Sequence, residues 1–204
     1  MESEAKTTGY VVDRGDPRWR RLRDHIQEFS LQTGSFRLSS GRMSSYLFQI
    51  RQTTLHPVGA GLSADIIVDY MQAHGLGYIG GLVQGAVPIA AAVAALSFAK
   101  GAPVKAFFVR KETKQHGARE RVDGFVENGA EILLVDDVAT TGGSILKALE
   151  ALKEEGFDCA ARKALAIIDR EEGATENLRA HGLELVSLFK KSDFDIPPAP
   201  HEAA

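Results

Sequence analysis

Two adjacent carboxylates, Asp136 and Asp137, follow the apolar run 132–135 and precede a turn rich in hydroxyl groups and glycine. Carboxylates at the end of a buried strand can accept hydrogen bonds from neighbouring hydroxyls, such as the 2′,3′-diol of a ribose. The turn is predicted to open a helix, and its N–H groups and the helix dipole favour a phosphate monoester. The residues predicted to line this turn are Val138, Ala139, Thr140, Thr141, Gly142, Gly143 and Ser144.

The distance along the chain between the acidic pair and the turn suits a ribose 5-phosphate. The alternative interpretation is structural: acids at a strand end, followed by a turn that caps a helix. Two other phosphate motifs are not supported. Residues 75–80 fit G-x-G-x-x-G but lie before a strand instead of between a strand and a helix, and the sequence has no G-x-x-x-x-G-K-[ST] loop for a triphosphate.

A polar segment, residues 110–124, carries five Lys or Arg against three acids in a chain of formal net charge -3. Loops of this length are uncommon in a compact domain and often close over an active site. Its cations could neutralise a departing diphosphate while closure excludes water. The candidates are Arg110, Lys111, Lys114 and His116. The alternative is a solvated loop without a catalytic role.

Alternating helices and short apolar strands must position these residues. Asp16 and Pro17 predict the start of a first helix, and two strand-like pieces, 36–39 and 46–50, surround a polar turn at 40–42. Further helices are predicted at 57–73, from 87, at 143–155 and at 174–180, and strands at 78–83, 104–109, 131–135, 164–168 and 183–188. This alternation predicts an α/β fold whose mainly parallel sheet is flanked by helices and binds ligands at the carboxyl ends of its strands.

The length of 204 residues predicts a single domain. We divide it into an N-terminal helix and hood segment (1–56), an α/β core (57–190) and a tail (191–204), which proline predicts to be disordered from Ile196 onward.

Composition excludes several classes of protein. The charge balance lacks the basic excess of a nucleic-acid-binding protein. A single cysteine, Cys159, excludes an internal disulfide and any multi-cysteine metal site, and no stretch is long and apolar enough to span a membrane. The polar N-terminus lacks the apolar core of a signal peptide. We therefore expect a cytoplasmic protein without nucleic-acid or membrane partners.

The apolar run, paired acids and Thr-x-x-Gly turn closely resemble the phosphoribosyl pyrophosphate signature of the type I phosphoribosyltransferases. The Arg-Lys-Glu-x-Lys-x-His-Gly core of residues 110–117 resembles the catalytic loop of the orotate branch of that family. Residues 34–42 resemble its N-terminal hood, which caps the base, and residues 81–88 resemble its pyrophosphate-side loop in the version without lysine. The resemblance extends from about Gly34 to Leu188 and implies the type I fold with a small hood.

The resemblance also assigns roles to individual residues. It implies that Arg170, in an Asp-Arg pair, contacts orotate, and that Thr140 is a second contact to the base. A guanidinium suits this role because its donors match a carboxylate or a carbonyl edge. The chain departs from many members at Ser39, Ser45 and Gln49, where lysine, proline and Asp or Asn are common.

The reaction implied is attack of orotate N1 on the anomeric carbon of phosphoribosyl pyrophosphate, through a transition state with oxocarbenium character. In this interpretation Asp136 and Asp137 hold the ribose, and the basic segment binds the leaving group together with Mg²⁺, which is held mainly by the substrate. No protein metal site is expected. Family membership further implies a homodimer whose Lys111, Lys114 and His116 act in the neighbouring subunit's site.

Two alternatives stay open. The first is a phosphoribosyltransferase for a purine or another base, against which the Asp-Arg pair and the loop core argue. The second is a regulator that senses phosphoribosyl pyrophosphate without turnover. Such a regulator would usually carry a nucleic-acid-binding surface, and only the arginines of the first helix hint at one: Arg18, Arg20, Arg21 and Arg23.

Overall fold

The computed structural model describes residues 9–37, 43–112 and 121–197. These residues form helices α1 to α6, strands β1 to β8 and one 3₁₀ turn. In chain order they are α1 (Pro17–Phe29), β1 (Leu31–Arg37), β2 (Met43–Phe48), α2 (Arg51–Thr54), α3 (Pro57–Ala73), β3 (Tyr78–Leu82), α4 (Ala86–Ala99), β4 (Lys105–Val109), β5 (Val122–Gly124), β6 (Glu131–Ala139), α5 (Gly143–Glu154), β7 (Ala160–Asp169), α6 (Ala174–Ala180), β8 (Glu184–Lys190) and the 3₁₀ turn Lys191–Asp193.

The central sheet has six strands in the order β5-β4-β3-β6-β7-β8. All neighbouring pairs are parallel except β4 and β5, which are antiparallel. The predicted α/β fold with a mainly parallel central sheet is therefore confirmed. Among the described residues, β1 and β2 form a separate antiparallel pair, at the place where the sequence predicted a hood.

Both faces of the sheet are buried, because side chains alternate along β6 between two hydrophobic clusters. Leu133 and Val135 pack with residues of α1, α3 and α4. Ile132 and Leu134 pack with residues of α5 and α6. Strands covered on both sides by helices need apolar residues on both faces, which explains the continuous apolar run before the acids.

Strands β3 and β6 are neighbours, but the chain leaves them in opposite directions across the sheet. After β3 it passes through α4 to β4 on one side, and after β6 it passes through α5 to β7 on the other. The loops that follow β3 and β6 therefore diverge and leave a crevice at the carboxyl ends of both strands. Open α/β sheets bind ligands at this kind of switch point.

Helix α1 begins as its sequence predicts. The Asp16 side chain accepts a hydrogen bond from the Arg18 backbone N–H at 2.7 Å, and Pro17 opens the first turn. The Arg18 side chain binds Asp65 and Asp69 of α3. Part of the basic cluster on α1 thus joins helices together.

Several elements differ from their predicted bounds. The first hood strand begins at Leu31, and the second ends at Phe48 because residues 51–54 form the short helix α2. Strand β6 continues past the predicted end at 135 through Ala139, so the two acids lie inside the strand, paired with β7. The three-residue edge strand β5 was not predicted, since three residues are too few to show a periodic pattern.

Residues near the C-terminus pack against the core, beyond the point where the sequence predicted an ordered chain to end. Phe194 is buried between Phe48 and Phe189, with ring centroids 5.2 and 5.6 Å away, and Ile196 also packs against the core. Ile196 is therefore packed on the core, in contrast to the disorder that was predicted from this residue onward. Residues 198–204 lie outside the described part of the chain. No helix among the described residues is long and apolar enough to cross a membrane.

Candidate active site

The acidic pair lies where β3 and β6 separate. Pairing between these strands ends at Gly80 and Leu134, although β3 continues beside β4 to Leu82. Beyond that point two backbone N–H groups of β6 donate to side chains of the same strand: that of Asp137 to Asp136 Oδ1 and that of Val138 to Asp137 Oδ1, both at 2.9 Å. The two carboxylates are thus fixed at the wall of the crevice.

The Asp136 carboxyl is nearly buried, whereas Asp137 is partly exposed. Burial and the adjacent negative charge of Asp137 raise the pKa of Asp136 to about 7, against the opposing effects of the Asp137 N–H and the Ser144 hydroxyl. Near neutral pH the pair therefore holds a proton part of the time. A ligand that donates hydrogen bonds, or a cation, favours the ionised form.

The predicted phosphate turn connects β6 to α5, but only residues 140–142 lie between these elements, because Val138 and Ala139 belong to β6 and Gly143 and Ser144 begin α5. Gly142 is the N-cap of the twelve-residue helix α5 and has a φ of 76°, a conformation that suits glycine. A Cβ there would also lie 2.7 Å from Leu178 Cγ. Because glycine has no side chain, the N-cap residue supplies no acceptor to the first-turn N–H groups. They remain suited to an anion.

The turn is anchored from the opposite side by α6. The side-chain amide of Asn177 donates to the Thr141 carbonyl oxygen at 2.6 Å. Asn177 was not singled out from the sequence, because nothing in the local pattern around it indicates a contact with residues thirty-six positions away.

The loop from β3 to α4 forms the other wall of the crevice. A Cβ on Gly85 would lie 2.3 Å from Asp136 Oδ1 and 2.7 Å from Asp137 Oδ1, so a larger residue would collide with both carboxylates. The neighbouring Val83–Gln84 peptide bond is cis. Gly85 was noticed in the sequence only within residues 81–88, and its contact with the acids required the fold.

Arg170, the predicted base contact, follows β7 at the same edge of the sheet. Its side chain lies against the hood: Nη2 donates to the Tyr46 hydroxyl at 3.0 Å, and the guanidinium carbon is 5.0 Å from the ring centroid. Arg170 also forms an ion pair with Glu172 at 2.8 Å, and the Tyr46 hydroxyl donates to Glu172 at 3.2 Å. Burial raises the pKa of Tyr46, although the hydrogen bond from Arg170 opposes this. Tyr46 and Glu172 had no predicted role.

A cavity of about 790 Å³ borders Asp137 on the side of the hood. Its lining includes Phe48 and Gln49 at the end of β2, Arg51 and Leu55 around α2, and Asp137. The hood, α2 and the acidic strand therefore border one open cavity.

The basic segment is only partly described. Arg110 forms an ion pair with Asp123 across the β4–β5 pair, and Lys111 is exposed. Lys114 and His116 lie outside the described residues. Arg121 pairs with Glu154 of α5, so part of the local positive charge is neutralised by the protein.

No group of three or more His, Cys, Asp or Glu side chains among the described residues could hold a metal ion. The two aspartates at the crevice can still accommodate Mg²⁺, because this ion usually binds one or two carboxylates and takes its other oxygens from substrate phosphates and water. The like charges of Asp136 and Asp137, which raise a pKa in the free protein, also favour a nearby cation.

The switch-point crevice, with a paired-acid strand on one side and an uncapped helix start beyond it, defines a phosphoribosyl-transferring class of protein. Consistent with this, a family model described as the phosphoribosyl transferase domain matches residues 60–184. A curated relative from Rhodopseudomonas palustris (strain TIE-1), named orotate phosphoribosyltransferase, is 45% identical over 178 residues, which are 85% of this chain and 94% of that protein.

Similar solved structures include those of an orotate phosphoribosyltransferase. The orotate phosphoribosyltransferase of Mycobacterium tuberculosis H37Rv in complex with Fe(III) dicitrate has a TM-score of 0.75 and 32% identity, over 87% of this chain and 98% of that one. The same enzyme in complex with phosphoribosyl pyrophosphate has a TM-score of 0.69 and 27% identity, over 88% and 93% of the two chains. This chain belongs to the orotate phosphoribosyltransferase family.

Proposed function

We propose that the chain transfers the phosphoribosyl group of phosphoribosyl pyrophosphate to orotate, yielding orotidine 5′-phosphate and pyrophosphate in pyrimidine biosynthesis. The observation that carries this proposal is the juxtaposition of Asp136 and Asp137 with the uncapped start of α5 at the sheet's switch point. Identity of 45% with a protein named for this activity supports the choice of base.

The donor binds through its ribose and its 5′-phosphate. Asp136 and Asp137 accept hydrogen bonds from the 2′- and 3′-hydroxyls, and the turn from Thr140 to Ser144 surrounds the 5′-phosphate with N–H groups and hydroxyls. Helix α5 adds the positive end of its dipole. Both contacts fix the anomeric carbon in the crevice.

In the transfer step the electron pair of orotate N1 forms a bond to the anomeric carbon, the N1 proton is released, and the carbon–oxygen bond to the diphosphate breaks. Positive charge develops on the ribose and is favoured by the adjacent carboxylates. Negative charge develops on the diphosphate, where we place Arg110, Lys111, Lys114 and His116. Asp136 and Asp137 would help to hold Mg²⁺ bound mainly by oxygens of the substrate, and this ion would supply further neutralisation of the diphosphate.

The base lies under the hood. Arg170 donates to the carboxylate or a carbonyl of orotate, and Thr140 is the second contact. The Tyr46 hydroxyl and Glu172 already fix the guanidinium in the free protein, which favours a preset orientation for the base. We further propose a cytoplasmic homodimer in which the basic segment of one subunit reaches the site of the other.

The decisive assay follows the loss of orotate's ultraviolet absorbance, which should require both phosphoribosyl pyrophosphate and Mg²⁺. The Asp137→Asn variant should lose at least about a hundredfold in kcat/KM, because a charged contact in the transition state is worth a few kcal/mol. Its thermal unfolding temperature should be no lower than that of the native protein, since Asp137 is partly exposed and its charge repels Asp136.

Three results would overturn the proposal in different ways. Turnover of a purine in place of orotate would reassign the base. Tight donor binding without turnover of any base would indicate a sensor of the donor. Absence of donor binding with Mg²⁺ present would refute the role of the acidic pair and the turn.

A further inference from the structure

Helix α2 places an arginine beside the loop that faces the acidic pair. Arg51 Nη1 donates to Gln84 Oε1 at 2.9 Å. Gln84 directly precedes Gly85, where an added Cβ would collide with the carboxylates of Asp136 and Asp137. Arg51 is therefore linked to Gly85, in the wall of the crevice, through its hydrogen bond to the preceding residue, Gln84.

Arg51 also faces the cavity beside the acidic strand. Arg51 and Asp137 both line the cavity of about 790 Å³ between the hood and the sheet. Arg110 and Arg170 each have a carboxylate partner, Asp123 and Glu172 respectively. Among the residues that the structure describes, Arg51 forms no ion pair of this kind, so its charge is available to a ligand.

The two ends of a bound ribose 5-phosphate should face different walls. The turn proposed for the 5′-phosphate lies between β6 and α5, toward β7, whereas the β3–α4 loop lies on the opposite side of the acidic pair. A ribose held by Asp136 and Asp137 with its phosphate in the turn thus presents its anomeric carbon toward Gln84 and Arg51. The group attached to that carbon in the donor is a diphosphate.

We propose that Arg51, oriented by Gln84, binds the diphosphate of the donor and the pyrophosphate product. The inference rests on the proposed function and adds a cation to a loop that has no lysine between Gly81 and Pro88. An arginine suits this position because its fixed fork of donors can contact two phosphate oxygens while one donor remains on Gln84.

The test measures dissociation constants of three ligands by calorimetry, in the native protein and in Arg51→Gln. The ligands are pyrophosphate with Mg²⁺, phosphoribosyl pyrophosphate with Mg²⁺, and orotidine 5′-phosphate, which keeps the sugar phosphate and the base but has no diphosphate. We expect Arg51→Gln to weaken the first two by about tenfold to a hundredfold, the usual effect of losing a charged hydrogen bond. Affinity for orotidine 5′-phosphate should change by less than about twofold.

Two further variants separate charge from structural support. Glutamine at 51 can still donate to Gln84, whereas Arg51→Lys keeps the charge, so recovery of pyrophosphate affinity in Arg51→Lys but not in Arg51→Gln supports an electrostatic role. Arg20→Gln, on the exposed face of α1, is the matched control and should leave all three constants unchanged.

Unchanged pyrophosphate affinity in Arg51→Gln, or a loss confined to orotidine 5′-phosphate, would overturn the inference. Neither result would affect the proposed function. Failure of the native protein to bind the donor or orotidine 5′-phosphate would instead refute the proposed function itself, and with it this inference.

Discussion

At the scale of single residues, the site is shaped by the close approach of two negative charges. Asp136 and Asp137 are consecutive in β6, yet both contribute to the crevice because β3 has separated from β6 at that point. The protein stabilises them with N–H groups of the same strand, but burial, together with the remaining repulsion from Asp137, raises the pKa of Asp136. Binding of a cation, or of a ligand that donates hydrogen bonds to the carboxylates, reduces this repulsion.

Asp136→Asn should change how stability depends on pH. The pKa of Asp136 rises from an ordinary 3.8 to about 7 on folding, so between these values the unfolded chain has released a proton that the folded protein retains. Stability conferred by the native residue is complete below about pH 4 and is lost as pH rises to about 7. The variant lacks this loss, and its stability relative to native should increase by on the order of 3–4 kcal/mol across that window.

Urea unfolding of both proteins from pH 4 to pH 8 measures this difference, which belongs to the Asp136–Asp137 pair as a whole, because carboxylates remote from that pair titrate alike in both proteins and cancel. A difference that stays constant with pH would refute the raised pKa of Asp136.

Gly85→Ala should damage the site without straining the backbone. Gly85 has a φ of -59°, which any residue adopts, so the only obstacle to alanine is the collision of its Cβ with the two carboxylates. We expect a loss of at least about a hundredfold in kcat/KM for the donor, because displacement of a catalytic group by about 1 Å has effects of this size.

The control is Gly61→Ala in α3, where nothing lies within 4 Å of the added methyl group. That variant should keep full activity and gain up to about 1 kcal/mol of stability. Normal activity in Gly85→Ala would show that the loop can move away from the acids.

At the scale of elements, periodic hydrophobic patterns in the sequence predicted the long helices and strands of the core, but they did not predict the short elements that border the site. Helix α3 occupies its predicted residues, and strand β6 with its following helix was predicted from one apolar run and one glycine turn. By contrast, β5 and α2 are too short for any period to appear in three or four residues. Yet α2 contributes Arg51 to the cavity.

Residues that lie far apart in sequence could be assigned to the site only through the fold. The acidic pair and the turn are contiguous, so the sequence alone indicated their chemistry. Tyr46 meets Arg170 across 124 positions, and Arg51 meets Gln84 across 33, without any local signal. The family resemblance placed Arg170 at the base but gave no partner for it.

Tyr46→Phe tests the connection between the hood and the base. The change removes the hydroxyl that accepts from Arg170 and donates to Glu172, but it keeps the ring against the guanidinium. Loss of such a hydrogen bond to a charged group should raise the KM for orotate by about threefold to thirtyfold, while the KM for the donor stays within about twofold.

Tyr78→Phe is the matched control, because the Tyr78 hydroxyl contacts the exposed side chains of Lys105 and Glu127 at the start of β3, at the opposite end of the strand from the acidic pair. Equal changes in both KM values in Tyr46→Phe would indicate a general disturbance of the hood and contradict a specific role in binding orotate.

At the scale of the whole molecule, one sheet brings three separate parts of the chain to the same edge. The hood precedes the sheet, the acidic strand is central to it, and Arg170 follows the next strand. The C-terminal residues then return to the hood, where Phe194 packs on Phe48. This closure was not predicted, because proline-rich composition at 197–200 concealed the two apolar residues before it.

Subunit mixing tests whether a complete site requires two copies of the chain. Lys114→Ala removes a cation proposed to act in the neighbouring site, and Asp137→Asn disables the acidic pair of its own subunit. Each variant alone should be nearly inactive. If the basic segment acts in trans, a mixed dimer contains one site with both lesions and one site with neither, so equal mixing should recover about a quarter of native activity by random pairing. Exchange must first be verified by mass spectrometry of differently tagged subunits. Activity that stays at the level of the separate variants after verified exchange would show that each site is completed by its own chain.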